Sequence, residues 1–379
     1  MAELFKDKFN TKTVTHLAKV LVSYDPSFNL KEFIKMASAG LAKLEMKARS
    51  KQITKALLVH MPQDFTKATQ IIESALDKPS QGETLNFEHA EGYIAGWTIM
   101  PVVQYISDAI LLLPDERFEL GMQSLKECTK RFSAEFAIRP LLEQLQCKTL
   151  AVLETWAHDS NLHVRRLVSE GSRPLLPWGL RLHAFVQSPQ LILPLLEQLK
   201  DDESEYVRRS VANSLNDIAK HHPDLVANIA LKWWQDDKPI RQKLLKHACR
   251  TLIKKGNVTV LNMLGYAPAS IQELELTLAH TLVVKGNEQV ITLHIKNAIS
   301  TPQKLLIDYV VHHQKANGTL SPKVFKWKSV VLPVNNGGLT LTKKHSFKTV
   351  TTRKYYSGKH KISILINGET FAEQAFSLT

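Results

Sequence analysis

Two glutamates and one tryptophan stand in local settings where carboxylate or aromatic chemistry is possible. Glu170 closes a helical pattern that Gly171 ends, so its charge faces the negative end of the helix dipole, at a cost of about 0.3–1 kcal/mol. Glu135 lies among apolar residues, where a carboxylate has a raised pKa unless it is paired. A lone tryptophan is usually part of the core, but Trp178 follows a proline-rich turn and could instead stack on a planar group or face a cation. Such residues could stabilise a developing positive charge or position a water molecule.

A further carboxylate, Asp217, follows from helix geometry. One stripe of its segment is apolar and is expected in the core: Val207, Val211, Leu215 and Ile218. Arg209 and Asp217 then lie on the opposite face, and Arg166 and Glu170 occupy the matching face of an earlier segment. The two segments would present charged groups on one solvent-facing surface. The alternative is an ordinary solvated helix face with ion pairs one turn apart.

The two segments are copies of an internal repeat. Residues 159–170 and 202–213 place the same Val-Arg-Arg triplet 43 residues apart, and a weaker third copy begins at Asp237. A capping Asp, then a Val-Arg pair that opens a helix, at a period of 40–47 residues, is typical of HEAT-like helical pairs. We expect Asp202 and Glu205 to form a capping box. Stacked pairs make an extended concave surface, most often used to bind proteins.

The spacing of apolar residues divides the chain into two regions. Up to about residue 268 the spacing is helical, most clearly in Val14–Val22, Leu30–Leu44, Lys51–Leu58, Asp64–Leu76 and Leu191–Leu199. Beyond it about seven short strands separated by Gly-containing turns are predicted, with β-branched stretches at Glu273–Leu278, Val290–Ile295, Leu305–Val311, His345–Val350 and His360–Ile366. We therefore predict a mainly α protein, with a HEAT-like α-solenoid over residues 1–268 and an immunoglobulin-like β-sandwich over residues 269–379.

The charge of the chain favours a polyanionic partner. Lys and Arg number 49 against 36 Asp and Glu, which gives a net charge of +13 and a pI near 9.5. The last 109 residues alone hold 14 basic and 6 acidic side chains, a surplus of 8. Nucleic acid is the first candidate for such a surface, and an anionic membrane is the second.

Several classes of protein are excluded by composition and motif. The chain is 44% hydrophobic and 22% charged, which excludes collagenous, low-complexity and wholly disordered proteins. Its most apolar window, residues 95–114, is interrupted by Asp108, and no signal peptide is expected. Three cysteines without a C-x-x-C pair indicate a reducing cytoplasm. No metal-binding or nucleotide-binding motif is present, so no metal or cofactor is expected.

Two stretches carry a resemblance to a known family. FSAEFAIRPLL at residues 132–142 and HVRRLVSEGSRPLLPWG at residues 163–179 resemble the bacterial DNA alkylation-repair glycosylases of the AlkC/AlkD type. The resemblance covers most of the chain and is closest to the AlkC branch, which appends an immunoglobulin-like domain to the solenoid. It implies a monofunctional DNA N-glycosylase of base excision repair that removes cationic bases such as 3-methylcytosine, 1-methyladenine and 3-methyladenine. The transition state would be oxocarbenium-like, without full base flipping and without a metal.

The resemblance also implies roles for residues of this chain. Glu170 would stabilise the oxocarbenium ion or position water, Glu135 would be the second carboxylate, Trp178 would pack on the deoxyribose or lesion, and Asp217 is a further candidate. Candidate phosphate contacts follow, though some of these arginines would form ion pairs within the solenoid: Arg165, Arg166, Arg173, Arg208 and Arg209. The β-domain would grip the duplex through Lys343, Lys344 and Arg353.

The expected partner is double-stranded DNA with alkylated bases, bound by a monomer at the bacterial nucleoid, with no membrane and no obligate protein partner. The alternative is a protein of the same fold without catalytic activity, a HEAT-like protein that binds damaged or structured DNA. Replacing Glu170 by Gln would distinguish the two, because only an enzyme would lose base excision while keeping DNA binding.

Overall fold

The 379-residue chain folds into two compact units. The computed structural model describes residues 5–88, 90–235, 238–334, 338–351 and 353–379. One unit comprises Met1–His221 with Pro239–Ala248, and the other comprises His222–Lys238 with Cys249–Thr379. The last helix ends at Met263 and the first strand begins at Ile271, so several helices belong to the same unit as the strands. None of the described helices combines the length and apolar content that a bilayer-spanning segment requires.

The helical region is a HEAT-like solenoid. Its helices are α1 (Thr11–Tyr24), α2 (Leu30–Ser38), α3 (Met46–His60), α4 (Phe65–Ala75), α5 (Ile99–Leu112), α6 (Pro114–Thr129), α7 (Ile138–Gln144), α8 (Gln146–Trp156), α9 (Leu162–Gly171), α10 (His183–Gln187), α11 (Leu193–Leu199), α12 (Glu205–Ile218), α13 (Pro223–Trp234), α14 (Pro239–Ala248), α15 (Arg250–Lys254) and α16 (Val258–Met263). The single helix predicted over Leu30–Leu44 is wrong. Gly40 adopts a left-handed φ of 65°, which separates α2 from a short 3-10 turn.

The two repeat helices begin two residues later than the capping Asp predicts. Asn161 caps α9, and Ser204 caps α12 by accepting a hydrogen bond from Val207 N at 3.4 Å. Asp202 instead accepts from the backbone N–H of Ser204 at 2.8 Å, so it shapes the turn that leads into the helix. The prediction of Asp202 as N-cap is therefore wrong. Asp237 of the third copy lies outside the described residues.

Burial of α12 confirms one face and corrects the other. The apolar stripe is in the core, with no exposed residue among Val207, Val211, Leu215 and Ile218. The opposite face is not uniformly open to solvent, since Glu170 is 5% exposed and Asp217 is 2% exposed. The expectation of a solvent-facing surface fails there because the loop after α9 brings Arg173 between the two carboxylates.

Arginines near the start of α9, α12 and α14 all bond the turn that precedes α12. Arg165 Nε and Nη2 donate to Asp202 at 2.6 and 3.1 Å. Arg241, at the matching place in α14, donates through Nε to Asp201 at 2.7 Å. Arg208 bonds the backbone carbonyls of Asp202 and Glu203 in the same turn. This turn before α12 thus receives arginines from three successive repeats, which fixes the positions of α9, α12 and α14.

The strand region is an immunoglobulin-like sandwich. The described residues form β1 (Ile271–Leu278), β2 (Leu282–Val283), β3 (Glu288–Asn297), β4 (Gln303–Gln314), β5 (Leu320–Leu332), β6 (Leu339–Ser346), β7 (Gly358–Ile366) and β8 (Glu369–Leu378). The sheets run β1-β3-β6 and β2-β8-β7-β4-β5, and every pair is antiparallel except β2 with β8. The strand predicted over His345–Val350 is wrong, because β6 ends at Ser346. The inner faces of the two sheets supply the core, to which β3 contributes Ile291, Leu293 and Ile295.

Three histidines are buried in the sandwich: His313, His345 and His360. Arg353 Nη1 donates to His313 Nε2 at 2.8 Å, which requires that nitrogen to be unprotonated. Burial, with Arg353 and the neighbouring histidines, lowers the pKa of His313 to about 3. Burial and Arg353 lower the pKa of His345 to about 4, and burial lowers the pKa of His360. All three side chains are therefore neutral in the folded protein at neutral pH.

We expect the unit that contains the sandwich to lose stability in mild acid. Unfolded histidines bind protons below about pH 6.5, whereas the folded chain does not bind them until the lowered pKa values are reached. Stability is therefore full above that pH and falls progressively below it. Hydrogen exchange of β3, β4 and β7, corrected for intrinsic rates, should show weaker protection at about pH 5 than at about pH 7.5. His345→Leu should lessen the difference in protection between the two pH values. Equal protection at both pH values would show that the buried histidines do not destabilise the unit in mild acid.

Candidate active site

A cleft in the first unit brings together three of the four residues predicted as catalytic. Its volume is about 430 Å³. Glu135, Glu170 and Trp178 all line it. The other lining residues are Met46, Leu85, Phe87, Trp97, Met100, Phe132, Ser133, Phe136, Arg166, Arg173, Leu176, Pro177 and Tyr206. Most of the wall is apolar, and the charged groups gather where α9 and its following loop meet α12.

Arg166 joins the two glutamates of the cleft. It comes from the middle of α9, and its Nη1 makes a short ion pair with Glu135 Oε2 and donates to Ser133 Oγ at 3.0 Å. Its Nη2 lies 3.5 Å from Glu170 Oε1, and its guanidinium lies 5.1 Å from the centre of the Tyr206 ring. Burial lowers the pKa of Arg166, but Glu135 and Glu170 outweigh that effect and raise it. The guanidinium stays charged and holds both carboxylates in place.

Glu135 is placed by the turn that precedes α7. Ser133 Oγ donates to Glu135 Oε2 at 2.9 Å and accepts from the Glu135 backbone N–H at 3.3 Å. The contacts with Ser133 and Arg166 both engage Oε2, whereas Oε1 makes no hydrogen bond to the described residues. Glu135 is thus a paired carboxylate in its apolar surroundings, with one oxygen still available.

Glu170 has both oxygens occupied. Arg173 Nη1 donates to Oε1 at 2.7 Å, and Ser210 Oγ of α12 donates to Oε2 at 2.8 Å. Burial raises the pKa of Glu170, but the charges of Arg166 and Arg173 and the hydrogen bonds from Ser210 and Arg173 outweigh it and lower the pKa. Glu170 is therefore ionised near neutral pH. It can stabilise a cation, and it cannot act as an acid there.

Asp217 lies behind the cleft. Its Oδ2 accepts from Arg173 Nε at 2.9 Å and its Oδ1 from Lys220 Nζ at 3.0 Å. It does not line the cleft, so its contact with the site passes through Arg173. The helical phase placed Asp217 opposite the apolar stripe of α12, but the structure buries it there against Arg173 and does not leave it open to solvent. Its geometry is that of a residue that positions Arg173.

A buried arginine that the sequence motifs did not single out supports the loop that carries Trp178. Arg139 of α7 is fully buried and donates to the carbonyls of Leu180, Gly171 and Arg173 at 2.6, 2.7 and 2.8 Å. Burial, with Arg173 nearby, lowers its pKa to about 10, so it remains charged at neutral pH. An arginine inside the apolar stretch of residues 132–142 was the available signal.

Trp178 is held in a costly conformation and presented to solvent. Its side chain is 68% exposed and its φ is 64°, in the left-handed region that only two described non-glycine residues adopt. Its carbonyl accepts a short hydrogen bond from Lys47 Nζ. This conformation costs an L residue about 1–2 kcal/mol. The exposed ring is therefore available for contact with another molecule, at a position where strained residues are often functional.

The predicted phosphate-contacting residues fall into two groups. Four of them form ion pairs or hydrogen bonds with other residues of the solenoid: Arg165, Arg166, Arg173 and Arg208. Arg209, whose side chain is 63% exposed, lines a groove of about 360 Å³ between α12 and α14 with Arg208, Lys243, Lys246 and His247. In the sandwich, Lys343 and Lys344 lie on the edge strand β6, and Arg353 contacts His313.

The geometry suits a cationic species beside an aromatic surface. The ionised Glu170 lies at a fixed position in a largely apolar cleft, where its field is stronger than in water, and Arg166 holds the second carboxylate, Glu135, in the same cleft. Trp178 stands at its rim. Among the described residues no three His, Cys, Asp or Glu side chains gather as a metal ion would require.

Comparison with known proteins agrees with this organisation. The family described as "DNA alkylation repair enzyme" matches residues 131–243, and the family described as "Uncharacterised protein YhaZ, C-terminal Ig-like domain" matches residues 272–379. The chain is 35% identical over 371 residues to the uncharacterized protein YhaZ of Bacillus subtilis, covering 97% of both chains.

A solved structure is similar over the whole chain. It is the alkylpurine DNA glycosylase AlkC of Pseudomonas fluorescens, bound to DNA containing an abasic site analog. The identity is 32%, the TM-score is 0.86, and the match covers 100% of both chains. From these matches, the helical repeats and the immunoglobulin-like domain, the chain belongs to the AlkC/AlkD family of HEAT-like DNA alkylation-repair proteins, on the AlkC branch.

Proposed function

We propose that the chain is a monofunctional DNA N-glycosylase that removes cationic N-alkylated bases. The observation that carries the proposal is the pair of glutamates on Arg166, beside the exposed Trp178, in one cleft. The full-length likeness to AlkC, an alkylpurine DNA glycosylase, supports the same activity. We propose 3-methylcytosine, 1-methyladenine and 3-methyladenine as substrates, because each carries a positive charge on the base.

The proposed reaction needs no acid from the protein. The bond between C1′ and the base nitrogen breaks, and its electron pair leaves with the base, which becomes neutral. Positive charge then develops on the sugar as an oxocarbenium ion, and water adds to C1′ and loses a proton. The ionised Glu170 stabilises that charge. Glu135, whose Oε1 makes no hydrogen bond to the described residues, orients the water and accepts its proton.

The proposed approach to DNA leaves the lesion incompletely flipped. Trp178 is exposed at the rim of the cleft and can pack on the deoxyribose at the surface of a bent duplex. Arg209, Lys243 and Lys246, along the α12–α14 groove, would contact the phosphates next to the lesion. Asp217 would act indirectly, by holding Arg173 against Glu170.

The test is release of free base from duplexes that each carry one lesion. Mass spectrometry of the supernatant identifies the base, and strand cleavage at abasic sites by alkali gives the rate. We expect release from at least one of the three cationic lesions and none from the unmodified duplex. Binding to every duplex with no release from any of them would favour the inactive DNA binder.

We expect the sandwich to contribute to DNA affinity through its lysines. Lys343→Ala with Lys344→Ala should weaken binding and reduce the slope of log K against log salt by about 1–2, at roughly 0.9 for each phosphate no longer neutralised. Substitution is preferable to truncation at residue 268, because Gly256 packs against Gly368 and the cut would separate them. An unchanged salt slope in a fluorescence-anisotropy titration would contradict a phosphate contact. Lys35→Ala, on α2, is the control.

A further inference from the structure

The cleft has a second, aromatic wall that the proposed chemistry does not use. The ring centres of Phe87, Trp97 and Phe132 lie 5.6–5.8 Å apart in all three pairings. Phe132 is 7% exposed, whereas Phe87 is 45% exposed, so one ring of the cluster remains open. All three line the same cleft as Glu135, Glu170 and Trp178.

Phe87 is carried by a segment that is fixed to the solenoid at several points. This segment, residues 77–88, is named here the strap. Arg131 Nε donates to the carbonyl of Asp77 at 2.6 Å, and the backbone N–H of Ser80 donates to the carbonyl of Lys130 at 3.0 Å. Glu83 Oε1 accepts from Ser204 Oγ at 2.6 Å, at the cap of α12.

The carboxylate of Glu83 binds the first turn of α12 through two hydrogen bonds. Glu83 Oε1 also accepts from the backbone N–H of Tyr206 at 3.2 Å, so its charge satisfies a donor at the positive end of the helix. Hydrogen bonds from Ser204 and Tyr206 lower the pKa of Glu83. The strap is thereby tied to the helix that supplies Tyr206 and Ser210 to the site.

The backbone of the strap also packs against Gly96, at a position that only glycine can occupy. Gly96 has a left-handed φ of 55°, and a Cβ there would lie 2.5 Å from the carbonyl oxygen of Phe87. The backbone of Phe87 therefore rests directly against Gly96, next to Trp97. An exposed phenylalanine held by this many contacts is a built part of the cleft wall.

We propose that this aromatic wall, with Phe87 as its open ring, contacts the alkylated base itself and favours cationic planar bases. The inference rests on the proposed function of the cleft and adds the residues that recognise the leaving group. A planar cation is attracted to the face of an aromatic ring, and bases stack on such rings whatever their sequence. The carboxylates act on the sugar, and the wall acts on the base.

The experiment compares DNA with and without a base at the lesion. Two proteins are compared, Glu170→Gln and the double variant Glu170→Gln with Phe87→Leu. Binding of each is measured to a duplex with 3-methylcytosine and to a duplex with a tetrahydrofuran abasic analogue. Leucine keeps an apolar side chain and removes the ring. We expect Kd for the 3-methylcytosine duplex to rise about tenfold, and Kd for the abasic duplex to stay within about twofold. Tyr93→Leu, at an exposed aromatic outside the cleft lining, should change neither.

The outcomes separate the wall from the proposed function. If Phe87→Leu weakens binding to both duplexes equally, or to neither, the base contact is wrong, whether or not the wild type releases base. If the wild type releases no base but Phe87→Leu weakens binding only to the 3-methylcytosine duplex, the glycosylase activity is wrong and the base contact is supported. Glu83→Ala, which removes the strap's hydrogen bonds to α12, should cause part of the same selective loss, and Glu83→Gln, whose amide oxygen can still accept from Ser204, should cause less.

Discussion

Glu170→Gln is expected to abolish base excision while leaving DNA binding and folding intact. The substitution removes the fixed negative charge that would stabilise the oxocarbenium ion, and losing one such group lowers rates by about 100-fold to 1000-fold. Folding should survive because the amide can still bond Ser210 and Arg173. Each arginine also keeps another carboxylate, Glu135 for Arg166 and Asp217 for Arg173.

The measurement is single-turnover release from a duplex that the wild type cleaves, beside anisotropy binding and thermal unfolding. The matched control is Glu143→Gln, on the exposed face of α7, which should behave as wild type. An unchanged rate for Glu170→Gln would remove Glu170 from the chemistry. A large drop in melting temperature would show that its main role is to neutralise the buried arginines.

Trp178→Gly is expected to separate activity from stability. Glycine relieves a left-handed φ that costs an L residue about 1–2 kcal/mol. It also loses about 0.5–1 kcal/mol through the greater freedom of the unfolded chain. Since Trp178 is 68% exposed, little buried apolar area is removed, and the two effects together should change the free energy of unfolding by no more than about 1.5 kcal/mol.

Excision by Trp178→Gly should nevertheless fall by about fivefold or more, because the stacking of an aromatic ring on a nucleotide contributes about 1–3 kcal/mol. Trp178→Phe, which keeps an aromatic face, should retain most of the rate. Denaturant unfolding and single-turnover excision check the two halves. A loss of several kcal/mol in stability, or full activity in the glycine variant, would contradict the assignment.

Local sequence signals were sufficient to predict the parts of the site that lie close in the chain. Glu170, Arg173 and Trp178 fall within nine residues at the end of one helix, where Gly171 and the prolines fix the path. The repeat carried the prediction to α12, so the side of Asp217 followed from helical phase. Its burial did not, because that depends on Arg173 reaching across from the preceding loop.

Contacts between distant segments could not be predicted. Glu83 meets α12 across 121 residues, and no local pattern marks it as a partner of Ser204. Arg139 reaches the carbonyl of Leu180 across 41 residues, although its place in an apolar helix could have suggested a buried structural role. In the sandwich, β5 was not among the named stretches because its lysines, as at Lys326 and Lys328, interrupt the apolar pattern on an edge strand.

Release of free base in a single turnover reports whether the cleft hydrolyses the bond to a cationic base. Wild type and Glu170→Gln are each mixed in excess with a duplex carrying a single 3-methylcytosine, and free base is quantified over time, with 1-methyladenine and 3-methyladenine duplexes in parallel. We expect release by the wild type from at least one duplex and a loss of about 100-fold or more in the variant. Tight binding by both proteins with no base released from any duplex would show that the cleft binds DNA without hydrolysing this bond.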